Sequence, residues 1–423
     1  MTAMSALVRS RVHYGWFVAA ATFVTLVCTA GILTAPTMFM QPFEHEFGWD
    51  ARPLSLAIGI QIALFGLTGP FAAAAMERFG LRRTIVSALA LLACAEFGIT
   101  FLRAAWQLPI WGAAVGLGAG SIALTFGATV ATRWFEQRRG LVMGIFAAGN
   151  ATGALIFYPL FGQIVVHAGW RSCAYVLSSV ALLMIPLVLL VVRERPSDVG
   201  LPRFGASEVD PVLPPRVNPI ARAFATLRDA TRSRTFWILA GSFFICGAST
   251  NGLIGAHLIP ACGDHGIPET RAAGLLAAMG AFDLVGTTAS GWLSDRYSSR
   301  WLLFWYYGLR GLSLLFLPMA FGFGFLGLPV FAVFYGLDWI ATVPPTVKLA
   351  TSAFGAQRAP LFFGWIAAGH QLGAGLTAFA AGTIRSLIGS YDDAFLMSGL
   401  LCLIGAGLVL TVARRYAVIP ARA

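Results

Sequence analysis

The chain has 423 residues, of which 58% are hydrophobic and only 11% are charged, and its mean hydropathy is +0.77. Soluble domains carry about 25% charged residues, so this composition excludes a soluble enzyme, a disordered chain and a collagen-like fibre. The net charge of +11 comes from 28 arginines and one lysine against 18 acids. Most of these basic residues lie in short segments between apolar runs, which indicates orientation in a membrane and no nucleic-acid partner.

Twelve apolar segments are long enough to cross a bilayer, which needs about 20 mostly apolar residues each. In chain order they are 16–40, 53–76, 84–102, 108–132, 140–164, 171–192, 235–262, 271–293, 301–320, 329–352, 361–385 and 394–413. The first apolar run follows Arg9 and Arg11 and is too long for the core of a cleavable signal peptide. The sequence therefore predicts an all-α membrane protein with twelve transmembrane helices.

The basic residues predict the orientation of these segments. With the N-terminus inside, the cytoplasmic segments hold 22 of the 29 basic residues and the opposite side holds five. Such a bias is typical of a protein whose arginine-rich loops remain in the cytoplasm. We therefore expect both termini in the cytoplasm, in a bacterial-type plasma (inner) membrane.

The longest loop divides the chain into two halves. It covers residues 193–234 and contains six prolines and eight arginines. We expect an N-terminal half of six helices at 1–192, a cytoplasmic linker at 193–234 and a C-terminal half of six helices at 235–423. Within the linker, residues 219–231 are predicted to form a short amphipathic helix at the membrane surface.

The two halves repeat one another. Residues 77–82 align with 295–300 at an offset of 218, and residues 137–153 align with 357–373 at an offset of 220. The pair Glu44-His45 matches Asp264-His265, also at an offset of 220. Parallel six-helix repeats of this kind place a substrate site between the halves, near the middle of the membrane.

The segments that follow the second and eighth helices resemble the cytoplasmic loop motif of the major facilitator superfamily. The matching residues are Glu77, Arg78, Gly80, Arg82 and Arg83 in the first copy and Gly291, Asp295, Arg296 and Arg300 in the second. The resemblance implies that Glu77, Arg78, Arg82, Asp295 and Arg296 form a cytoplasmic gate whose charge pairs latch the outward-facing state. The alternative is a set of ordinary ion pairs at loop ends.

A narrower resemblance lies at the start of the fifth helix. Residues 133–141, followed by Gly144 and 147–149, are similar to the signature of monocarboxylate porters and oxalate/formate exchangers, and residues 14–16 also look like them. This resemblance implies transport of a small carboxylate, often with a proton. The chain departs from the family's animal members, because its first helix lacks lysine and Thr287 stands four residues after Asp283, where they have arginine.

Five ionisable residues lie near the middle of predicted helices, about 14–18 Å from one end at about 1.5 Å per residue. They are Glu96, Asp283, Arg310, Asp338 and His370. Ionisable groups at that depth are costly and usually functional. Arg310 stays charged and needs a counter-charge, for which Asp283 and Asp338 on neighbouring helices are the natural partners. The cluster either binds an anion and exchanges a proton, or is a static polar knot between helices 8, 9 and 10.

The repeat adds two neutral candidates, Asn150 and Asn251. Asn150 is equivalent to His370, and Asn251 is equivalent to Gly31, both at an offset of 220. A histidine at this depth titrates near neutral pH and is able to bind a carboxylate when charged. Its alternative is a neutral side chain satisfied by one neighbour, such as Gln371. Asn251 either donates to a substrate oxygen or forms an interhelical hydrogen bond.

These observations predict a secondary active transporter and no enzyme. The first hypothesis is alternating-access transport of a small organic anion, with a monocarboxylate as the expected class, and with proton coupling through Asp283, Asp338 or His370. The alternative is an exporter of amphipathic or aromatic compounds, and the third hypothesis is a membrane sensor or scaffold. The expected partners are a small-molecule substrate, a proton and the lipid bilayer. We expect a monomer that uses no metal and no cofactor, since the six cysteines lack CxxC spacing.

Overall fold

The computed structural model of the chain describes residues 12–208, 219–355 and 359–412. In these residues the regular elements are helices, with one isolated β-bridge between Phe135 and Phe204. We number the membrane-crossing segments span 1 to span 12. The first six are span 1, Tyr14–Met38; span 2, Ala51–Arg78; span 3, Leu81–Ile99; span 4, Gln107–Trp134; and spans 5 and 6, which together form Arg139–Val191.

The second six spans follow the linker. They are span 7, Arg234–Asp264; span 8, Glu269–Arg296; span 9, Ser299–Ala320; span 10, Gly324–Asp338 with Val343–Phe354; span 11, Ala359–Ile388; and span 12, Asp392–Leu410. Three shorter helices are Met40–Phe47 after span 1 and, in the linker, the 3₁₀ turn Pro196–Val199 and Pro219–Ala230. Each of the twelve predicted segments coincides with a helix, and nine helical stretches in the described residues are long and apolar enough to cross a membrane. The twelve-helix prediction is confirmed.

Spans 5 and 6 are joined by a single residue. The sequence predicted a gap between 164 and 171, but the helical run from Arg139 to Val191 is interrupted only at Gly169, whose φ of 81° and ψ of 162° are not helical. Because glycine lacks a Cβ atom, it adopts this conformation without steric cost. The chain therefore reverses direction across the bundle at one residue.

Two spans of the second half are irregular near their middle. Span 7 contains a π-helical stretch, Ala248–Gly255, and span 10 is interrupted between Asp338 and Val343. Pro344 and Pro345 explain the interruption, since neither supplies the backbone N–H that a continuous helix needs. The bend at these prolines was predicted, whereas the π-helical stretch carries no proline and was not.

Packing follows the repeat, so that each span of the first half is equivalent to the span six positions later. Span 1 packs on span 5, as span 7 packs on span 11; span 2 packs on span 4, as span 8 packs on span 10; and span 3 packs on span 6, as span 9 packs on span 12. Between the halves, span 2 packs on span 11 and span 5 packs on span 8. These two contacts are equivalent, because the repeat relates span 2 to span 8 and span 5 to span 11. The bundle is therefore two pseudo-symmetric halves of six helices.

Small residues set the close approaches. A Cβ atom at Gly112 or Gly116 of span 4 would lie 2.2 Å or 2.4 Å from a backbone oxygen of span 2, which confirms that these glycines serve helix packing. Between the halves, a Cβ atom at Gly59 of span 2 would lie 2.5 Å from the carbonyl oxygen of Gly375 on span 11. The two halves therefore meet backbone to backbone at this point.

The bundle has two ends, which we call the linker face, where residues 193–234 lie, and the opposite face. At the opposite face, Arg385 of span 11 donates to Asp264 of span 7, with Nη2 2.7 Å from Oδ1, and also pairs with Glu44 between spans 1 and 2. Arg385 and Asp264 belong to the second half and Glu44 to the first. The opposite face is therefore closed by an ion pair that joins the halves.

At the linker face, the predicted amphipathic helix is present as Pro219–Ala230. Its Phe224 ring lies 5.8 Å from that of Phe71 on span 2 and 6.4 Å from that of Trp365 on span 11. The helix therefore contacts both halves. The division at 1–192, 193–234 and 235–423 remains a prediction.

Candidate functional site

A cavity of about 170 Å³ lies between the two halves of the bundle. Three spans of each half line it, with Leu33, Thr34, Pro36 and Thr37 from span 1, Ile58, Gln61, Ile62 and Phe65 from span 2, Tyr158 from span 5, Asn251, Gly255 and Ala256 from span 7, Trp339 from the span 10 break and Gln371 from span 11. Pockets for drug-sized ligands are about 300–1,000 Å³. The cavity therefore fits a small molecule.

The polar groups that line this cavity are all uncharged. Gln61 and Gln371 each have a buried side-chain oxygen that has no hydrogen-bond partner among the described residues. The hydroxyls of Thr34 and Thr37 donate to carbonyls of their own helix at 2.7 Å and 2.8 Å, which leaves only their acceptor capacity. The lining thus offers amide, phenol and indole groups to a ligand and no formal charge.

Of the predicted site residues whose side chains the structure describes, Asn251 is the one that lines this cavity. The π-helical stretch of span 7 carries it, together with Gly255. Such stretches are frequent at functional sites, because the extra residue per turn turns a side chain or carbonyl out of the regular helical pattern. Asn251 therefore faces the boundary between the halves.

Arg310 and Asp338 form a buried ion pair beside the cavity. Arg310 is 1% exposed and Asp338 is 7% exposed, and Arg310 Nε donates to Asp338 Oδ2 at 2.7 Å. Arg310 also donates to the sulfur of Cys246 at 2.9 Å, to the carbonyl of Trp339 at 3.1 Å and to the carbonyl of Asp338. The other carboxylate oxygen of Asp338, Oδ1, is buried and has no partner in the part of the chain that the structure describes. The guanidinium is thus directed at span 10 and not at the cavity.

Asp283 lies in the same region but has other partners. Its Oδ1 accepts hydrogen bonds from the Thr287 hydroxyl at 2.8 Å and from the backbone N–H of Ile340 at 2.9 Å. The structure therefore brings Asp283, Arg310 and Asp338 together around the break in span 10, as their depth predicted. It connects them to the cavity through Trp339, which is part of that break and lines the cavity.

The structure describes the side chain of His370 but not that of Asn150. The ring of His370 lies 4.9 Å from that of Phe243 on span 7, and its neighbour Gln371 is the residue of this pair that lines the cavity. The side chain of Asn150 lies outside the described residues. Glu96 is fully buried in span 3, does not line the cavity and faces the indole of Trp111 on span 4.

The gate-motif residues are not paired with one another. Glu77, Arg78, Asp295 and Arg296 are exposed at the linker face, and the described residues contain no ion pair among them. Arg296 donates to the carbonyl of Trp292 and lies 4.0 Å from its ring centre.

At the remaining gate residue, Arg82, the backbone N–H forms a hydrogen bond with a side chain of the linker. Glu194 accepts the N–H of Arg82 at 2.9 Å and that of Leu81 at 2.6 Å, which caps span 3. Within the described residues the charged side chains of the motif do not pair with one another, and the latch of the outward-facing state and its alternative of ordinary loop-end pairs both stay predictions.

Four cavity residues were missed from the sequence as binding groups: Gln61, Tyr158, Trp339 and Gln371. Gln61 is the one amide inside the second predicted segment and could have been found as a polar residue at mid-membrane depth. Tyr158 and Gln371 were noted for a bend and as a partner for His370. Trp339 carries no such signal, because a tryptophan in an apolar segment usually faces lipid or packing neighbours.

A separate ion pair at the opposite face lies within the first half. Glu46 accepts from Arg171 at 2.8 Å and from the indole of Trp170 at 2.7 Å. The hydrogen bond from Arg171, with further contributions from Trp170 and from the Arg171 charge, lowers the pKa of the Glu46 carboxyl below its usual range. This pair fixes the short helix Met40–Phe47 to the start of span 6.

Comparisons with known proteins extend over most of the chain. A family model described as Major Facilitator Superfamily matches residues 18–337. The uncharacterized MFS-type transporter YcxA of Bacillus subtilis (strain 168) is 25% identical over 409 residues, with 93% of this chain and 93% of that protein covered. Monocarboxylate transporter 13 of Bos taurus is 27% identical over 408 residues, with 94% and 89% covered.

A solved structure shares the fold. It is described as a bacterial homolog to the human lysosomal transporter Spinster in an inward-facing and occupied conformation. The two structures agree with a TM-score of 0.72 at 17% sequence identity, over 96% of this chain and 98% of the other. This agreement concerns the arrangement of the helices.

Proposed function

Because the chain belongs to the Major Facilitator Superfamily, which consists of membrane transporters and not enzymes, we propose that it is a secondary active transporter of a small monocarboxylate that enters together with a proton. The observation that carries the proposal is the cavity between the halves, which is small and lined by uncharged hydrogen-bonding groups. The family and the multi-pass membrane architecture are established, and the monocarboxylate substrate and the proton as coupling ion are what we propose.

The absence of a charge on the lining side chains favours a substrate that enters without net charge. A bare carboxylate buried without a counter-charge loses its hydration at a cost of several kcal/mol. A carboxylate that enters with a proton brings no net charge. The free oxygens of Gln61 and Gln371 are acceptors for an alcohol O–H of the substrate, while the amide N–H groups of Gln61, Gln371 and Asn251 are donors for its carboxylate oxygens.

Asp338 is our candidate for the proton site, in preference to Asp283 and His370. Its Oδ1 is buried and lacks a partner, so a proton there is not in competition with an existing hydrogen bond. Asp338 directly precedes Trp339 in the chain, and Trp339 lines the cavity. A change at the Asp338 carboxyl therefore has a short path to the substrate. Protonation would also weaken the pair with Arg310, and loss of a buried pairing is a sufficient driving force for a local rearrangement.

The relatives support the substrate class. Monocarboxylate transporter 13 of Rattus norvegicus is 27% identical over 411 residues, with 94% of this chain covered, like its bovine counterpart. The neutral cavity also bears on the rival hypothesis, an exporter of aromatic or amphipathic compounds. Phe65, Tyr158 and Trp339 supply aromatic surface for such a ligand, but a volume of about 170 Å³ favours the smaller substrate.

We further propose alternating access between the two halves, with the linker face in the cytoplasm of a bacterial-type cell and the chain acting as a monomer. Support for the orientation is the excess of arginine at the linker face. Support for alternation is the closed opposite face, where Arg385 joins Glu44 and Asp264. Release of this pair would open the cavity to the other side.

The proposal is tested by ligand-induced thermal stabilisation of the purified protein. A ligand at 100 times its Kd stabilises a one-site protein by about 2.7 kcal/mol, which is a measurable shift of the melting temperature. We expect small monocarboxylates to stabilise the protein, more strongly at mildly acidic pH. Gln371→Ala removes one hydrogen bond and should weaken binding about tenfold.

Gln163→Ala is the matched control for this test. Gln163 is an exposed glutamine of span 5 that bonds His167 at 3.0 Å and does not line the cavity. It should leave the ligand-induced shift unchanged. If cationic or bulky aromatic compounds stabilise the protein while no carboxylate does, the monocarboxylate proposal is wrong and the exporter hypothesis replaces it.

A further inference from the structure

The break in span 10 exposes backbone groups in the middle of the bundle. Residues 339–342 are not helical. Pro344 and Pro345 lack the N–H groups that would donate to the carbonyls of Ile340 and Ala341, four residues earlier, in a continuous helix. Backbone that is irregular at membrane depth is tolerated only where other protein groups or water satisfy it. The partners of these four residues therefore show what holds the break in place.

Three side chains from neighbouring spans bond the backbone of the break. Asp283 of span 8 accepts from the Ile340 N–H at 2.9 Å, and Ser290 of the same span donates to the Ala341 carbonyl. Arg310 of span 9 donates to the Trp339 carbonyl at 3.1 Å. All three are at most 5% exposed. Spans 8 and 9 do not line the cavity, but their side chains fix the backbone at and beside Trp339, which does line it.

A fourth contact comes from span 7. The thiol of Cys246 lies 3.2 Å from the hydroxyl of Thr342 and also accepts from Arg310 at 2.9 Å. Cys246 precedes the π-helical stretch that carries Asn251 by two residues. The same network therefore joins the two irregular segments that form the cavity wall of the second half.

We propose that Asp283, Ser290 and Arg310 are positioning residues of the transport site, which hold the break of span 10 so that Trp339 is presented to the substrate. The inference rests on the proposed function for the identity of the substrate. It assigns the Asp283 carboxyl to hydrogen-bond acceptance from Ile340 and not to proton carriage. It assigns Arg310 to span 10 and not to the substrate carboxylate.

The assignment separates Asp283→Asn from Asp283→Ala. The asparagine side chain keeps an oxygen that accepts from Ile340 but cannot exchange a proton, whereas alanine leaves the N–H without a partner. With Asp283→Asn we expect the KM for monocarboxylate uptake and its pH profile to stay within about twofold of the wild type. With Asp283→Ala we expect KM to rise about tenfold, the equivalent of one lost hydrogen bond of about 1.4 kcal/mol.

A second pair of variants covers a failure of Asp283→Ala to fold. Ser290→Ala frees the Ala341 carbonyl and should raise KM in the same direction. Its matched control is Thr288→Ala on the same span, because the Thr288 hydroxyl is exposed and bonds only the Leu284 carbonyl of its own helix at 2.7 Å. The control should leave KM unchanged.

A purely structural staple would change stability alone, so the test includes a double-mutant cycle with Trp339→Phe. If the positioning residues act through Trp339, the effects of Asp283→Ala and Trp339→Phe on KM are not additive. Additive effects, or a fall in melting temperature without a change of KM, overturn the inference. Loss of the pH dependence of uptake in Asp283→Asn also overturns it, because the carboxyl would then carry the proton.

Hydrogen–deuterium exchange makes the result independent of the substrate. In the membrane-embedded protein without ligand, the Ile340 amide should exchange at least tenfold faster in Asp283→Ala than in Asp283→Asn or the wild type. Equal exchange in all three overturns the positioning role. If exchange behaves as expected while the wild type takes up no monocarboxylate, the positioning inference stands and the proposed substrate is wrong.

Discussion

If the two halves alternate as proposed, opening at the opposite face requires the pair between Glu44 and Arg385 to break. Glu44 belongs to the first half, whereas Arg385 and Asp264 both belong to the second half. Glu44→Gln should therefore raise the population that is open at the opposite face, and Asp264→Asn should not. Glu46→Gln is a matched control two residues away on the same short helix, because Glu46 pairs with Arg171 inside the first half.

The magnitude follows from the exposure of the pair. The side chains of Arg385 and Glu44 are 19% and 22% exposed, between a surface pair and a buried one. Surface pairs contribute about 0.2–1 kcal/mol and loss of one partner of a buried pair costs about 3–5 kcal/mol. We therefore expect about 1–2 kcal/mol, which shifts the opening equilibrium about 5- to 30-fold towards the open state.

Thiol labelling from one side of the membrane measures this equilibrium. Thr37 lines the cavity and is 6% exposed, so Thr37→Cys should react with a membrane-impermeant maleimide added at the opposite face only when that face opens. The six native cysteines give a background that the same protein without Thr37→Cys measures. Glu44→Gln should label about 5- to 30-fold faster than the wild type. Equal rates for wild type, Glu44→Gln and Glu46→Gln would refute the role of the pair.

Three further predictions concern stability and coupling. The Arg171 hydrogen bond lowers the pKa of Glu46, so the stability it contributes is present above the unfolded pKa of about 4.3 and is lost as pH falls through the lower folded value. The difference in melting temperature between wild type and Arg171→Gln should therefore shrink between about pH 6 and about pH 3. Gly375→Ala places a Cβ atom 2.5 Å from a carbonyl oxygen and should destabilise the protein by about 1–3 kcal/mol in denaturant unfolding, whereas Gly274→Ala, with no atom within 4 Å, should not. Asp338→Asn should keep monocarboxylate exchange across vesicles while it abolishes uptake driven by a pH gradient; retained gradient-driven uptake would remove Asp338 from the coupling mechanism.

The fold was predictable because it depends on quantities that a sequence carries directly. The length of each apolar segment fixed the twelve spans, and the repeat at an offset of 220 predicted a site between equivalent halves. The break in span 10 followed from two adjacent prolines. Asn251, a candidate that the same repeat singled out, lies on the cavity, and its role in binding stays a prediction.

The site was only partly predictable, because depth along a helix does not give rotation about its axis. His370 and Gln371 have nearly the same depth, but neighbouring residues point about 100° apart at 3.6 residues per turn. Gln371 lines the cavity and His370 does not. Arg310 and Asp338 were paired correctly from depth, whereas the bonds from Arg310 to the carbonyls of the span 10 break depend on how three helices meet.

The central claim is that a monocarboxylate and a proton cross together through the cavity, and the internal pH of proteoliposomes tests it most directly. Small acids also cross lipid unaided, so protein-free vesicles and vesicles with Gln371→Ala set the background. We predict that addition of a monocarboxylate acidifies wild-type vesicles faster than both controls. Uptake of labelled carboxylate without faster acidification would contradict the proton coupling, and acidification equal to that of protein-free vesicles, with no labelled uptake, would contradict the substrate.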